Sequence, residues 1–503
     1  MRLGVRVPGA EVPRWIANAV GPTVAVLLFA DDVTRRPRTL AARVVDAYLR
    51  VDRLFLGPLN DAEAPASLPA GVTARGGDQD VADVDVWLDF AEPEFAVCGE
   101  VWRLRFGATR GARPTFRDLV SDTGVCRVAL EVRAAGAKPV LVGETFAGTD
   151  DASVSRARSR VLWRASVLVR RALHERARLG RIPPARGESA VTAVPRPPSL
   201  GAVARHAAAV AARVAPRRAK RVFGRQEWCV GIRPAVELDR SEDLAGALRD
   251  GPPLTPIAQP HDVYRSDPFL ADDRGRSYLF VEEFAFGTGR GHISVAEVAP
   301  TGLRSAFRDC LKRPYHLSYP FVFESEGVHY MLPESFESRR IELYRAVDFP
   351  WEWRLDAVLV DDTHAVDSTL LFDDGLWWLF TSIIEPPASG DEELSLFFAP
   401  ALHGPWATHP SNPVVADARF ARCAGRLFRH RGRLVRPAQD GSRRYGSGIN
   451  LRYVTTLNED AYAETAAGYL DGRWFPGAHA THSYDRTPAI EAADGERWRF
   501  GRP

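Results

Sequence analysis

The sequence predicts two domains of different class: an N-terminal α/β domain with a doubly wound sheet, and a C-terminal all-β five-bladed β-propeller. Three observations carry this. Strand and helix patterns alternate over residues 1–180. Residues 181–225 interrupt them with a Pro-rich stretch, a helical stretch and a basic cluster. From residue 226 onward a single hairpin motif recurs. The length of 503 residues exceeds one ordinary domain.

In the first part, LGVRV reads as a short strand, VPRWIANAV as a helix and TVAVLLFA as a second strand. TLAARVVDAYLRVDRLF has helical periodicity and DVDVWLDFA reads as a third strand, which makes a βαβ series of the parallel, doubly wound kind. VWRLRFG, CRVALEV and KPVLVGETF continue as strands, and SVSRARSRVLWRASVLVRRALHERA closes the domain as a long amphipathic helix. RIPPARGESAVTAVPRPPS then has linker composition. LGAVARHAAAVAARV places Val203, Ala207, Val210 and Val214 on one helical face, ahead of PRRAKR.

The second part repeats. When SDPFLADDRGRSYLFVEE, SYPFVFESEGVHYMLPES and VDSTLLFDDGLWWLFTS are aligned on Gly275, Gly327 and Gly375, three positions come into register. Asp267, Tyr319 and Asp367 precede the glycine; Tyr278, Tyr330 and Trp378 follow it; Glu282, Glu334 and Ser382 end the motif. AGRLFRHRGRLVRPAQD keeps the same offsets at Ala424, Gly432, Val435 and Gln439. Third strands recur as GHISVAEV, RIELYRAV, ELSLFFAP and GINLRYVT. A weaker fifth copy lies in HATHSYDRTPAIEAADGERWRF, with EWCVGIRP able to close the ring. Copies of about fifty residues, each a small antiparallel sheet, are a propeller signature. The glycine and the aromatic after it read as scaffold.

The positions that vary between copies read as a site. Asp267 and Asp367 head inner strands, and Glu282 and Glu334 end second strands. Facing carboxyls supply the acid and base of glycoside hydrolysis, or lock onto arginines. Tyr319, His316, Trp378, Arg426 and Asp440 are the candidates for holding a sugar.

Bulk properties exclude other classes. A formal charge of +2 argues against a nucleic-acid binder. The most apolar run, Thr23 to Ala30, is too short to span a membrane. Five cysteines (Cys98, Cys126, Cys229, Cys310 and Cys423), odd in number and never spaced CxxC, fit a reducing cytoplasm and no zinc site. No Gly-rich phosphate loop and no metal-ligand spacing occur, so no cofactor or metal is expected. The oligomeric state is open.

Taken in order, SDPFL…YLFVEE, HLSYPFVF…YMLPES, LYRAVDFPWEWRL, VDSTLLFDDGLWWLF, GPWATHPSNPV and GRLFRHRGRLVRPAQD resemble the N-terminal propeller of plant glucosamine inositolphosphorylceramide transferases. More distantly they resemble the five-bladed arabinanase and β-xylosidase superfamily. The second resemblance implies inverting hydrolysis: an Asp base in the first blade, a tuning Asp in the third and a Glu acid in the fourth. Asp267 and Asp367 match by blade. The fourth blade reads RCAGRLF, with Arg422 and Arg426 where the acid belongs, so Glu334 or Glu282 must serve. The plant proteins carry their transferase domain beyond the propeller, so transferase activity is not expected of this sequence. VWRLRFGATRGARPTFRDLVSDTGVCRVALEV resembles the core of formyltransferases. That family needs Asn, His and Asp together. Here no His precedes His174, only Asn18 and Asn60 are available, and VRAAGAKPVLV lacks the expected Asp, so a degenerate, inactive domain is expected. The expected function is directed at a glycan or glycoconjugate, by binding or processing. The alternatives are inverting hydrolysis with Asp267 as base and Glu334 as acid, and formyl or acyl transfer with an accessory propeller.

Overall fold

The computed structural model describes residues 1–8, 11–21, 24–30, 40–58, 60–66, 73–76, 84–91, 99–107, 113–185, 187–188 and 198–500. Cys98 and most of the Pro-rich stretch lie outside them. The chain forms two compact units: Met1–Ala215 with Pro386–Ser389, and Pro216–Glu385 with Gly390–Pro503. Among the described residues no helix is long and apolar enough to cross a membrane.

The first unit holds β1 (Leu3–Pro8), α1 (Arg14–Val20), β2 (Val24–Ala30), α2 (Leu40–Leu56), β3 (Thr73–Gly76), β4 (Val86–Asp89), β5 (Glu100–Phe106), α3 (Phe116–Leu119), β6 (Val125–Arg133), β7 (Val140–Gly148), α4 (Val154–Leu179) and β8 (Gly187–Glu188). The sheet order is β3-β2-β1-β4-β5-β6-β7-β8. The first five strands are parallel, as expected. The last three alternate in direction, which corrects the fully parallel, doubly wound reading. For β6 and β7 the reason is connection length: a parallel crossover needs a dozen or more residues and usually a helix, whereas residues 134–139 join these two strands.

Strand order reverses between β1 and β4, where open α/β sheets usually bind ligands. Side chains fill that point. The buried Arg6 and Arg103 both donate to Asp89, at 3.0 Å each to Oδ1 and Oδ2. Asn18 and Asn60 serve structure: Asn18 donates to Ser166 Oγ, and the Asn60 carbonyl accepts from Trp163 Nε1 and Ser159 Oγ. The helix predicted after the linker runs from Leu200 to Phe223, burying Val203 and Val210 and continuing through the basic cluster.

The second unit is a ring of five antiparallel sheets. Blade 1 comprises Val263–Asp273, Arg276–Ala285 and Arg290–Ala299, with Gly302–Leu303 and Arg308–Leu311 both paired to the third strand. Blade 2 comprises Ser318–Ser325, Val328–Glu334, Ile341–Asp348 and Glu352–Val360. Blade 3 comprises Ala365–Asp373, Leu376–Ile383, Ser395–Ala399 and Ala407–Thr408. Blade 4 comprises Phe428–His430, Arg433–Gln439, Gly448–Leu457 and Tyr462–Asp471. Blade 5 joins Tyr484–Arg486 and Ile490–Phe500 to Gly224–Pro234 and Thr255–Pro256. The strand EWCVGIRP thus closes the ring, in register from Ile490↔Pro234 to Phe500↔Gly224.

The repeated glycines sit where the turn needs them. Arg274-Gly275, Glu326-Gly327, Asp374-Gly375 and Arg431-Gly432 all have positive φ at both residues, the two-residue turn whose twist suits a hairpin. A Cβ on Gly327 would meet nothing within 4 Å, so its cost is backbone strain alone. Gly327→Ala is expected to lower stability by about 1 kcal/mol in urea denaturation, without loss of fold. The aromatics after the turns pack as scaffold: Tyr278 lies edge-on to Phe349 of blade 2 at 5.3 Å.

Candidate site at the propeller axis

In blades 1 to 3 the pairing of the first two strands breaks at one place, between Ser266 and Phe269, Ser318 and Phe321, and Val366 and Thr369. Asp267, Tyr319 and Asp367 fall inside those breaks with φ of 50°, 44° and 50°. Positions aligned by sequence therefore share a left-handed conformation that costs about 1 kcal/mol or more for a residue with a Cβ. In blade 5 pairing begins at Tyr484, and His482 stands two residues before it, as Asp267 stands two before Phe269.

Hydrogen bonds at or beside these positions link every blade to the next. Asp267 Oδ1 accepts from Ser483 Oγ (2.8 Å) and faces His482 Nε2 (3.2 Å), joining blades 1 and 5. Its Oδ2 accepts from the Tyr319 backbone N–H (3.3 Å), joining blades 1 and 2. Tyr319 Oη meets Thr369 Oγ1 at 2.9 Å, joining blades 2 and 3. Asp367 accepts from Arg422 Nε (2.6 Å) and Nη2 (3.3 Å) and from Gln439 Nε2 (2.5 Å), joining blades 3 and 4. The Tyr484 N–H donates to the Ala424 carbonyl at 2.8 Å, joining blades 4 and 5.

His482 carries two carboxylates: Nε2 faces Asp267 and Nδ1 lies 2.8 Å from Asp494 Oδ2. Burial opposes its charge, but Asp494 and Asp267 hold its pKa well above the ordinary 6.5. Burial likewise raises Asp267; the His482 charge and hydrogen bonds from His482 and Ser483 outweigh it and leave Asp267 below its ordinary value.

The second-strand positions behave oppositely. Glu282 accepts from Ser266 Oγ (2.7 Å) and faces His316 Nε2 (3.3 Å), whose Nδ1 accepts from the Gly291 N–H (3.0 Å). Burial, then the nearby Asp267 carboxylate, push Glu282 up to about 8. Burial and Asp367 push Glu334 well up, against Arg422 at 3.6 Å. Both carboxyls are thus biased toward the protonated form. Glu334 Oε2, Ser382 Oγ and Gln439 Oε1, from the equivalent position of three successive blades, are buried and have no hydrogen-bond partner among the described residues. The cluster reaches solvent: the His316 side chain is 31% exposed, Glu334 11% and Tyr445, whose ring lies 5.3 Å from the Arg422 guanidinium carbon, 44%.

The structure thus gathers Asp267, Asp367, Glu282, Glu334 and His316. It does not gather the other sugar-holding candidates. Trp378 is buried in the core, its ring 5.7 Å from Phe398 and its Nε1 on the Asp373 carbonyl at the hairpin end. Tyr319 is fully buried against Phe269, so its ring offers no platform for a sugar. Arg426 binds Asp485 and the Leu270 and Val322 carbonyls, each three residues along an inner strand from Asp267 or Tyr319. At about 3.3 Å per residue that is a separate layer of the axis. Asp440 accepts from the Ser442 N–H and from Tyr469 Oη within blade 4. His482, Asp494 and Ser483 are absent from the sequence-derived set. The signal that could have found them is HSYD, two residues out of step with the other inner strands in a copy lacking the turn glycine.

Among the described residues, two clusters bring three donor groups within 4.8 Å of one another: Asp267/His482/Asp494 and Glu283/His292/Asp309. In the first, both ring nitrogens face carboxylates, which an imidazolium satisfies without a metal. In the second, Arg265 pairs with Glu283 and Lys312 with Asp309, so cations already occupy it.

Fold and axis together define a five-bladed β-propeller with a polar, carboxyl-rich centre. Its residues 255–471 match the family model described as glucosamine inositolphosphorylceramide transferase 1, N-terminal. Glucosamine inositolphosphorylceramide transferase 1 of Oryza sativa subsp. japonica is 35% identical over 260 residues, 48% of this chain and 35% of that protein. The Arabidopsis thaliana protein of that name is 34% identical over 205 residues, 40% of this chain and 27% of that one. The chain thus spans about a third of the length of the curated relatives it matches. Solved glycoside hydrolases overlap it loosely. A GH43 protein from Bacillus licheniformis has TM-score 0.33 and 16% identity, over 45% of this chain and 49% of that one. A family 117 glycoside hydrolase from Zobellia galactanivorans has TM-score 0.34 and 12% identity, over 54% and 90%.

Proposed function

We propose that the propeller binds a glycan or glycoconjugate at the axial cluster and does not cleave it. The observation that carries this is that both aspartates are buried and engaged on both oxygens. A general base must present its oxygen to a water beside the substrate. Asp267 spends its oxygens on His482, Ser483 and the Tyr319 N–H, and Asp367 spends its own on Arg422 and Gln439. Near them, among the described residues, Ser382 Oγ and Gln439 Oε1 have no hydrogen-bond partner and Glu334 Oε2 has only Arg422 Nη2 at 3.6 Å, so these oxygens are suited to accept from sugar hydroxyls. Similarity to proteins whose name speaks of a glycolipid supports a glycan ligand. For the N-terminal unit, a formyltransferase-like domain without formyl transfer remains the proposal; the missing His supports the loss.

Inverting hydrolysis is the second reading. One observation favours it: Asp267 is depressed while Glu282 and Glu334 are raised, the split of a base and its acids. A glycan array run with wild type and Ser382→Ala, which removes one open oxygen and no printed bond, tests the first reading. Retention of at least one glycan class by wild type and its weakening in the variant are expected, by about five-fold to ten-fold for one lost hydrogen bond. No retention by wild type of any glycan contradicts it.

A further inference from the structure

We propose that the end of the propeller bearing the axial mouth docks on an anionic lipid bilayer, through exposed apolar residues where blade 5 begins and the cations beside them. The inference does not depend on the glycan-binding reading. What this end exposes, and the direction in which it faces, carry it.

Val222 and Phe223 end the Leu200–Phe223 helix at 76% and 73% exposure, and Phe500 ends the last strand at 56%. They stand together. Gly224 follows Phe223 and pairs in register with Phe500, and a Cβ on Gly224 would lie 2.9 Å from the Phe500 ring. Single exposed apolar residues are ordinary, but a group of them marks an interaction surface. Cations surround this group. Lys220 lies over the Trp498 ring, 5.8 Å from its centroid. Arg225 and Arg499 share Glu227, while Glu496 faces His479 and Arg444. Over residues 220–227, 260–262 and 496–500 that leaves Lys220, Arg221 and Arg497 against Asp262 alone.

Charge selects the occupant. A second copy docked here about a two-fold axis would set these cations against their own kind. A nucleic-acid backbone would meet the cations and leave Val222 in water. An anionic bilayer meets both: apolar side chains enter the headgroup–acyl boundary and the cations meet the phosphates. Strand direction then places the surface. Asp494 accepts from the Asp267 N–H at 3.1 Å, and Glu282 lies beside Asp267, so both belong to the axial layer. From that layer their strands run on, one to Phe500 and the other to Ala285 with Phe286 next. The two ends emerge side by side, since the Arg225 guanidinium carbon lies 4.0 Å from the Phe286 ring centroid. Phe286 donates its N–H to the Asp262 carbonyl, and the ring of Phe284 is 6.2 Å from that of His316, which opens the axial site to solvent. The patch therefore borders the mouth.

The test floats the full chain with vesicles of phosphatidylcholine alone and with vesicles in which about a third of the lipid is phosphatidylglycerol, at about 0.1 M and about 1 M salt. The expected result is binding to the anionic vesicles at least about ten-fold tighter than to the neutral ones, and its loss at the higher salt. Val222→Ser with Phe223→Ser is expected to weaken that binding about ten-fold or more, because the two side chains no longer enter the bilayer. Lys220→Gln with Arg221→Gln is expected to weaken it by about as much, at roughly five-fold for each cation. All four side chains are exposed, so thermal melts of both variants should match wild type. No binding to either vesicle, or equal binding to both, overturns the proposal. Anionic binding that the serine pair leaves unchanged also overturns it and marks a general polyanion surface, which competition by duplex DNA would then confirm. None of these outcomes bears on glycan retention, which the array judges alone.

Discussion

Replacing Arg422 by Met is expected to cost the propeller about 3–5 kcal/mol, because it strands a buried carboxylate. Among the described residues Arg422 is the one cation paired with Asp367, donating through Nε and Nη2, and it also lies 3.4 Å from Asp391 and 3.6 Å from Glu334. Met has a similar volume, so the loss is electrostatic and not a cavity. Arg422→Met with Asp367→Asn removes both charges and should recover much of the stability, since the cost lies in the unpaired ion. Urea denaturation followed by Trp fluorescence reads both. A single variant within about 1 kcal/mol of wild type would mean that Asp367 is not locked in this pair.

His482→Gln is expected to be comparably damaging and to invert the pH dependence of stability. In the wild type, His482 has a folded pKa above its unfolded 6.5. Its contribution is full below pH 6.5 and is lost as pH rises through the folded pKa. Asp267 has a folded pKa below its unfolded 3.8, so its contribution is present above 3.8 and lost as pH falls through the folded value. Wild-type stability therefore has a plateau between these limits. Without His482, Asp267 and Asp494 face each other with no cation between them, and one of them takes up a proton on folding. The variant should then gain stability toward acid, where wild type loses it. Thermal melts from pH 4 to pH 9 distinguish the two, and parallel profiles would contradict the ion triad.

The propeller was legible because a repeated hairpin imposes one requirement many times. Gly275, Gly327 and Gly375 recur because the second residue of each turn has positive φ, and periodicity exposes such a constraint. Blade 5 was faint for the same reason. Two of its strands come from the start of the unit and two from its end, and its hairpin, Thr487–Ala489, has no glycine. His482 and Asp494 were hidden with it. Asp267 and Asp367 were found because their backbone slot repeats, but their partners depend on neighbouring blades, which sequence spacing does not encode. Trp378 and Tyr319 were assigned by residue type, and packing overrode type: each ring is buried at a blade contact. In the first unit strand identity followed hydrophobic pattern, whereas the antiparallel β6–β7 pair followed its short connection, residues 134–139, which the βαβ reading did not weigh. β3 is four residues, TARG, with too little apolar pattern to register.

The central claim is that the axial aspartates hold the ring together while the second-strand oxygens hold the glycan. The direct measurement is NMR of wild-type protein with a glycan retained on the array, following ligand saturation transfer and the anomeric protons together over days. The account predicts saturation transfer to the sugar with no new reducing-end signals. New anomeric signals that accumulate with wild type and vanish in a folded Asp267→Asn variant would contradict it and establish Asp267 as a base.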